Sequence, residues 1–133
     1  MARILALDHG SARCGCALSD PSGTLASVLP AVERPDTRAG LSALVRLVEE
    51  RDVERVVVGL PLTLAGDEGA QAKEARAFSE RLAGRLAVPV ELHDERLTTR
   101  LAERTGGGGD LDSRAAAHLL ESYLTRAGAG LKE

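Results

Sequence analysis

The sequence predicts a single α/β domain built on a five-stranded mixed sheet with flanking helices. Three strand-like segments follow one another near the beginning of the chain, with no helical pattern between them. Two helical patterns then alternate with two further apolar runs, and a crossover from strand to helix to strand requires parallel strands. The length of 133 residues, 44% of them hydrophobic, is typical of one domain with a sizeable core. We expect that domain over residues 1–127 and a frayed tail over residues 128–133.

The first three strands are predicted to be antiparallel. The unbroken apolar run Ile4–Leu7 indicates a strand that is buried on both faces. Cys14, Cys16 and Leu18 alternate with small residues, and the short link before them makes the first two strands a hairpin. Turn-forming residues precede the third strand. The predicted strands cover Arg3–Asp8, Cys14–Ser19 and Leu25–Val32.

Two units of helix and strand follow. Apolar residues recur at helical spacing over Leu41–Val48, behind helix-start residues at 35–37. A second helical pattern leads into the last strand. Its apolar positions are Ala75, Phe78, Leu82 and Leu86. The apolar segments Arg55–Leu60 and Val88–His93 are predicted to be parallel strands.

The last part of the chain is predicted to be mostly helical. A short helical stretch over Thr98–Arg104 is followed by the glycine link Gly106–Gly109 and by a final helix that starts near Asp112. In that helix Asp112 shares one stripe with core residues, so its carboxylate can point toward the sheet. The apolar members of the stripe are Ala116, Leu119, Leu120 and Tyr123.

Three acidic residues are candidate metal ligands and catalytic residues. Asp8 follows a buried strand and Glu95 follows the last one, while Asp112 opens the final helix. Ligands of α/β sheets collect at the carboxyl ends of parallel strands, so we expect these acids to converge. Hard oxygen ligands suit Mg²⁺ or Mn²⁺, and such ions can activate water for phosphodiester hydrolysis. Like charges this close also raise one another's pKa, so the site should need its cation.

Each of these acids also has a structural interpretation that the residues alone leave open. Asp112 is a suitable N-cap, Glu95 could form a salt-bridged turn, and Asp8 could cap a turn before glycine. An edge position for the last strand would place it two strand spacings, roughly 9 to 10 Å, from the first strand. Glu95 would then have to lean over the strand between them.

Composition restricts the partners. One Phe, one Tyr and no Trp leave little for base stacking, and the net charge of -3 gives no overall attraction for a polyanion. Nucleic acid would therefore be held locally, by its backbone. The candidate contacts are Arg13, Lys73, Arg96, Arg100 and Arg114, although a solvated helix face would also explain such residues.

The remaining sequence features favour a cytoplasmic protein. Cys14 and Cys16 are read as small buried hydrophobes, because further ligands for zinc are missing. His9 and His93 are read as packing or hydrogen-bonding residues. The first residues lead straight into a strand without a signal pattern, and no apolar stretch approaches the roughly 18 residues of a membrane span.

Several ordered stretches together resemble the YqgF family, which is described both as Holliday junction resolvases and as pre-16S rRNA nucleases. The stretches are Leu5–Gly10, Arg13–Asp20, Val57–Leu62, Asp94–Thr99 and Asp112–Tyr123. The resemblance covers nearly the whole chain. It implies an RNase H-like fold and a bacterial cytoplasmic nuclease that depends on a divalent metal. It also implies that Asp8, Glu95 and Asp112 are the acidic site residues.

The implied substrates are the 5′ end of precursor 16S ribosomal RNA, with ribosomal precursor particles as implied partners, and branched DNA such as Holliday junctions. Two differences from the family pattern affect how tightly the chain would bind these substrates. Ala12 stands where the family often has lysine, and residues 106–111 replace a longer basic segment. Both departures remove cations near the expected metal site.

Two other functions remain compatible with these residues. A non-catalytic nucleic-acid or ribosome-binding module could keep the fold without the chemistry. An actin-like phosphotransferase would share the Asp-x-Gly motif after a strand but would close two lobes over a nucleotide. The sequence leaves open whether the protein is a monomer or a homodimer, which a resolvase acting on paired strands would favour.

Overall fold

The computed structural model describes residues 3–22, 25–95 and 111–131, with only the backbone at 111–112 and 127–131. Its elements alternate much as the hydrophobic pattern predicts. The strands are β1 (Arg3–His9), β2 (Arg13–Ser19), β3 (Ala26–Glu33), β4 (Val53–Leu60) and β5 (Val90–Asp94). The helices are α1 (Arg38–Glu50), α2 (Ala70–Ala83) and α3 (Leu111–Leu131).

The five strands form one mixed sheet in the order β3-β2-β1-β4-β5. The first three strands are antiparallel neighbours, while β1 pairs with β4 and β4 with β5 in parallel. β1 is therefore the central strand, which explains its unbroken apolar run. The predicted mixed sheet and the edge position of β5 are both confirmed.

Two hydrophobic layers cover the sheet. Alternate residues of β1 face opposite sides, so Leu5 and Leu7 pack with α1 and α2 while Ile4 and Ala6 pack with α3. Leu44, Phe78 and Leu82 are the large buried residues that α1 and α2 contribute. Ala116, Leu119 and Leu120 are the buried residues of α3. The predicted stripe of the final helix is thus confirmed for these apolar members.

The structure corrects the predicted ends of two elements. Helix α2 ends at Ala83 and does not reach Leu86, because Gly84 caps it and donates its N–H to Glu80. Strand β5 begins at Val90, because Pro89 has no N–H to donate and only its carbonyl pairs, with the N–H of Val56.

After β5 the structure describes only the last helix, α3. The predicted stretch Thr98–Arg104 and the link Gly106–Gly109 lie outside the described residues. Helix α3 continues to Leu131, and the frayed tail over residues 128–133 stays a prediction. In the described part of the chain, no helix combines the length and the apolar character needed to cross a membrane.

Phe78 is the most informative residue for testing this core. Its ring is fully buried and stacks on the imidazole of His9 with 4.6 Å between the ring centroids. Phe78→Ala should lower the free energy of unfolding by about 3 to 5 kcal/mol, since it leaves a cavity between α2 and the sheet. Urea unfolding measures this loss. Leu64→Ala is the control, because that side chain is 95% exposed, and an equal loss there would contradict the assigned core.

Candidate active site

The structure brings Asp8 and Glu95 together at one edge of the sheet. The parallel strands β1, β4 and β5 all end at this edge, which we call the active edge. Asp8 is half-buried near the end of β1 and shares the α3 face with Ile4 and Ala6. Glu95 follows β5, and its N–H donates to the carbonyl of Leu60 at 3.2 Å. That bond extends the pairing of β5 and fixes the backbone of Glu95 beside β4.

Gly59 provides the space that lets Glu95 reach Asp8. Strand β4 lies between β1 and β5, and Gly59 points to the α3 face like Val57 two residues earlier. A Cβ atom at Gly59 would overlap the Glu95 carboxyl group and lie 2.7 Å from Glu95 Cγ. The side chain of Glu95 therefore lies across β4, in the place of a missing side chain. Its carboxyl group is hydrogen-bonded to that of Asp8.

This contact changes the charge of the site. Burial raises the pKa of Glu95 to about 9, and the hydrogen bond and negative charge of Asp8 and the charge of Asp94 act in the same direction. At neutral pH without a cation, Glu95 is thus protonated and donates its O–H to the Asp8 carboxylate. Two acids share one proton here, so the pair carries about one negative charge instead of two.

The third predicted acid, Asp112, lies in the first turn of α3, but its side chain is outside the described part of the structure. Its neighbour Ser113 shows where this turn sits. Ser113 is fully buried, and its Oγ accepts a hydrogen bond from the N–H of Cys16 at 3.2 Å. Cys16 follows Gly15, which pairs directly with Asp8. The start of α3 is therefore fixed one strand away from Asp8.

The donor set suits a hard divalent cation. The two described carboxyl groups offer only oxygen atoms, and the N-terminal end of α3 lies beside them. Asp8 and Glu95 do not make a full metal cage alone. Across the described ranges 3–22, 25–95 and 113–126, no group of three or more His, Cys, Asp or Glu side chains is arranged to hold a metal. That Asp112 completes the shell stays a prediction from the sequence.

The five basic residues predicted to contact nucleic acid are distributed unevenly. Arg13 is exposed at the start of β2, on the active edge, and Arg114 is partly exposed in the first turn of α3. Lys73 is exposed in α2 and helps Arg76, whose hydrogen bond is the larger cause, to lower the pKa of Glu68. Arg96 and Arg100 lie outside the described residues.

Both histidines near the site make structural contacts, in agreement with their interpretation from sequence. His9 Nε2 lies 2.9 Å from Asp36 Oδ2, on the face opposite to Asp8. Arg81 from α2 holds the other oxygen of Asp36 at 2.8 Å. His93 Nε2 lies 3.1 Å from Ser122 Oγ, and burial lowers the pKa of His93. Cys14 and Cys16 are buried and free.

Sequence reasoning missed two residues that build the site, Gly59 and Ser113. Gly59 lies within the predicted strand Arg55–Leu60, and a glycine inside a buried apolar strand often marks the close approach of another group. Ser113 carried no comparable signal. Its role depends on the packing of α3 against β2, which local sequence does not encode.

Comparison with known proteins identifies the family. The RuvX family, described as Holliday junction resolvase, matches residues 2–126. The chain belongs to this family. RuvX and YqgF are two names of one family, so the resemblance inferred from the motifs is confirmed.

Curated relatives match this RuvX family member over nearly the full chain. A protein of Moorella thermoacetica is 42% identical over 135 residues, which cover 95% of this chain and 96% of that one. A protein of Chloroflexus aurantiacus is 40% identical over 130 residues, covering 91% and 85%. Both are named "Putative pre-16S rRNA nuclease".

Among solved structures, T. thermophilus RuvC in complex with a Holliday junction substrate superposes with a TM-score of 0.67. The two chains cover 96% of each other and share 14% identity. At this identity the likeness concerns the fold, and it confirms the predicted RNase H-like architecture of this RuvX family member.

Gly59→Ala tests whether the space above Gly59 positions the Glu95 side chain. The added methyl group meets only the movable end of a side chain, so the protein should fold while Glu95 is displaced from Asp8. We expect Mn²⁺ affinity and any nuclease activity to fall at least about tenfold, because small misplacements of reacting groups cost factors up to about 100. Calorimetric titration measures the Mn²⁺ affinity, cleavage assays measure the activity, and circular dichroism checks that the variant is folded. Gly84→Ala is the matched control, since its Cβ would make ordinary contacts at 3.5 Å, and equal behaviour of both variants would contradict this geometry.

The raised pKa of Glu95 predicts how stability depends on pH. Without metal, the folded state holds a proton that the unfolded state releases above its ordinary pKa of 4.5. The free energy of unfolding should therefore fall as pH rises from about 5 to about 9, by at most about 1.4 kcal/mol per pH unit. Urea unfolding in chelator measures this slope. Glu95→Gln should flatten the slope, and an unchanged slope in this variant would assign the titration to another group.

Proposed function

We propose that this protein is a divalent-metal-dependent nuclease that hydrolyses phosphodiester bonds. The observation that carries the proposal is the Asp8 and Glu95 carboxyl pair, forced together over Gly59 at the active edge. Oxygen-only donor sets of this kind bind Mg²⁺ or Mn²⁺. Family membership and the names of the relatives support nucleic acid as the substrate.

Asp8, Glu95 and Asp112 are the residues that would hold the metal. When bound there, divalent ions supply an activated water and stabilise the leaving oxygen in phosphodiester hydrolysis. Asp8 is the central ligand, because it lies between Glu95 and the strand that anchors α3. The number of ions that the site holds depends on the distance between the Asp112 carboxylate and the other two acids.

The chain's own residues give the site its dependence on a cation. Glu95 must lose the proton that it shares with Asp8 before it can act as a ligand, so metal binding should release a proton. An ionised carboxylate cluster without a cation would repel the phosphates of a nucleic acid. Substrate binding at the active edge is therefore coupled to metal binding.

The physiological substrate we propose is the 5′ end of precursor 16S rRNA, with branched DNA such as Holliday junctions as a second substrate. The relatives' names support the first, and the family description supports the second. Contacts of Arg13, Lys73, Arg96, Arg100 and Arg114 with the phosphate backbone carry no sequence information, so they suit either substrate. Action on ribosomal precursor particles in the cytoplasm belongs to the same proposal, as does one catalytic domain over residues 1–127 working as a monomer or a homodimer.

A cleavage panel tests the proposal directly. Wild-type protein should cut a structured precursor RNA, a four-way DNA junction, or both, in Mg²⁺ or Mn²⁺ and not in chelator. Asp8→Asn keeps the shape of the side chain and removes its charge, so cutting should fall at least about 100-fold. Product analysis on gels, with single strands as further substrates, measures both effects.

Three outcomes would overturn the nuclease assignment. Cutting that persists in Asp8→Asn would show that a contaminant is responsible. Metal-independent binding without cutting, unaffected by the loss of Asp8, would instead identify a non-catalytic binding module. Hydrolysis of ATP without cleavage of nucleic acid would favour the phosphotransferase alternative.

A further inference from the structure

An open cavity of about 470 Å³ lies at the active edge, on the side of β1 away from Glu95. It is lined by two links, the one between β1 and β2 and the one between β3 and α1. We call it the link cavity. The residues that line it and matter here are Arg13, Arg34, Glu33, Asp36 and Thr37.

The link cavity is close to the catalytic carboxylates. Asp8 pairs with Gly15, and Arg13 lies two residues further along β2 toward the edge. Strand geometry then separates the Cα atoms of Asp8 and Arg13 by roughly 8 Å. Because side chains alternate along a strand, Arg13 points to the same face of the sheet as Gly15 and as Asp8. The cavity thus lies one strand away from Asp8 at the same edge of the sheet, and through Asp36 and Thr37 it extends toward the face that α1 covers.

Arg34 is the cation in the cavity that is free to bind a ligand. Its side chain is exposed, and among the described residues its guanidinium makes no hydrogen bond or ion pair. Arg13 lies opposite Glu33 in the pairing of β2 with β3, and it already takes part in a polar or charge interaction within the chain. An arginine fork without a protein partner suits the oxygens of a phosphate group.

The backbone holds Arg34 in a rarely adopted conformation. Its φ angle is 45°, which is uncommon for a residue other than glycine. The N–H of Arg34 donates to the carbonyl of Ala12 at 2.9 Å, and the Thr37 N–H and hydroxyl both donate to the carbonyl of Arg34. Gly40 allows this tight turn, because a Cβ there would lie 2.7 Å from Pro35 Cα. The fold therefore fixes the place from which the Arg34 side chain extends.

The acidic residues of the link cavity do not cancel this cation equally. Asp36 is held by both His9 and Arg81, so its charge is already paired. Glu33 is exposed and would oppose an anionic ligand. Removing the negative charge of Glu33 should therefore strengthen binding of an anionic ligand, whereas removing Arg34 should weaken it.

We propose that the link cavity binds a backbone phosphate of the substrate strand, next to the phosphate at the carboxylate pair, with Arg34 as its principal cation. This inference rests on the proposed nuclease function and adds a residue that positions the nucleic acid. Arg34 does not touch the cleaved bond.

Binding at several salt concentrations tests the proposal. The full chain carrying Asp8→Asn should bind fluorescent four-way DNA or precursor RNA without cutting it, because the substitution removes the carboxylate charge that would repel phosphate when no cation is bound. Adding Arg34→Ala should weaken binding about three- to tenfold and reduce the slope of log affinity against log salt by about one. Arg34→Lys should restore part of the affinity, and Glu33→Gln should strengthen binding. Alanine leaves the backbone strain unchanged, because both residues carry a Cβ.

Arg51→Ala is the matched control, since it removes the same charge at the opposite end of α1. In cleavage assays of otherwise wild-type protein, Arg34→Ala should raise KM and leave kcat nearly unchanged, as loss of uniform binding does. Equal effects of Arg34→Ala and Arg51→Ala would overturn the link cavity as a phosphate site. Absence of any nucleic-acid binding or cutting by the wild-type protein would instead overturn the proposed function itself.

Discussion

The active edge depends on one contact, in which two carboxyl groups meet across a strand that separates them. The strand order places β4 between Asp8 and Glu95, and only a residue without a side chain at position 59 lets them touch. Burial then makes two ionised groups unfavourable, so a proton stays on Glu95 until a cation replaces it. Strand order, one glycine and one shifted pKa together produce the carboxyl pair on which the proposed metal site depends.

The sheet also explains why the remaining parts of the site have to come from distant parts of the chain. β1 is buried on both faces, so it can offer only the residues near its end. The predicted third acid, Asp112, lies on a helix packed on the same face, and the Ser113 hydrogen bond to β2 fixes where that helix starts. The link cavity lies on the other side of β1, where Arg13 and Arg34 are close to Glu33 and Asp36.

Much of this could be predicted from sequence, because hydrophobic periodicity encodes burial directly. The run Ile4–Leu7 and the stripe of α3 predicted the central strand and the covering helix, and strand ends predicted where Asp8 and Glu95 would lie. The sequence indicated that Glu95 would have to lean over an intervening strand, but the space that Gly59 leaves for it could not be predicted, because that depends on the register between β4 and β5. The φ angle of Arg34 and the role of Ser113 likewise depend on tertiary packing. Helix α2 was predicted too long, because apolar spacing alone does not show that Gly84 ends it.

Asp8 and His9 are consecutive residues that face opposite sides of the sheet. One meets Glu95 in the layer covered by α3, and the other is held by Asp36, which Arg81 of α2 also holds. The end of β1 therefore joins the two layers through a single peptide unit. The half-exposed Arg81 of α2 is connected to the carboxyl pair on the far face by the two hydrogen bonds of Asp36 and the backbone between His9 and Asp8.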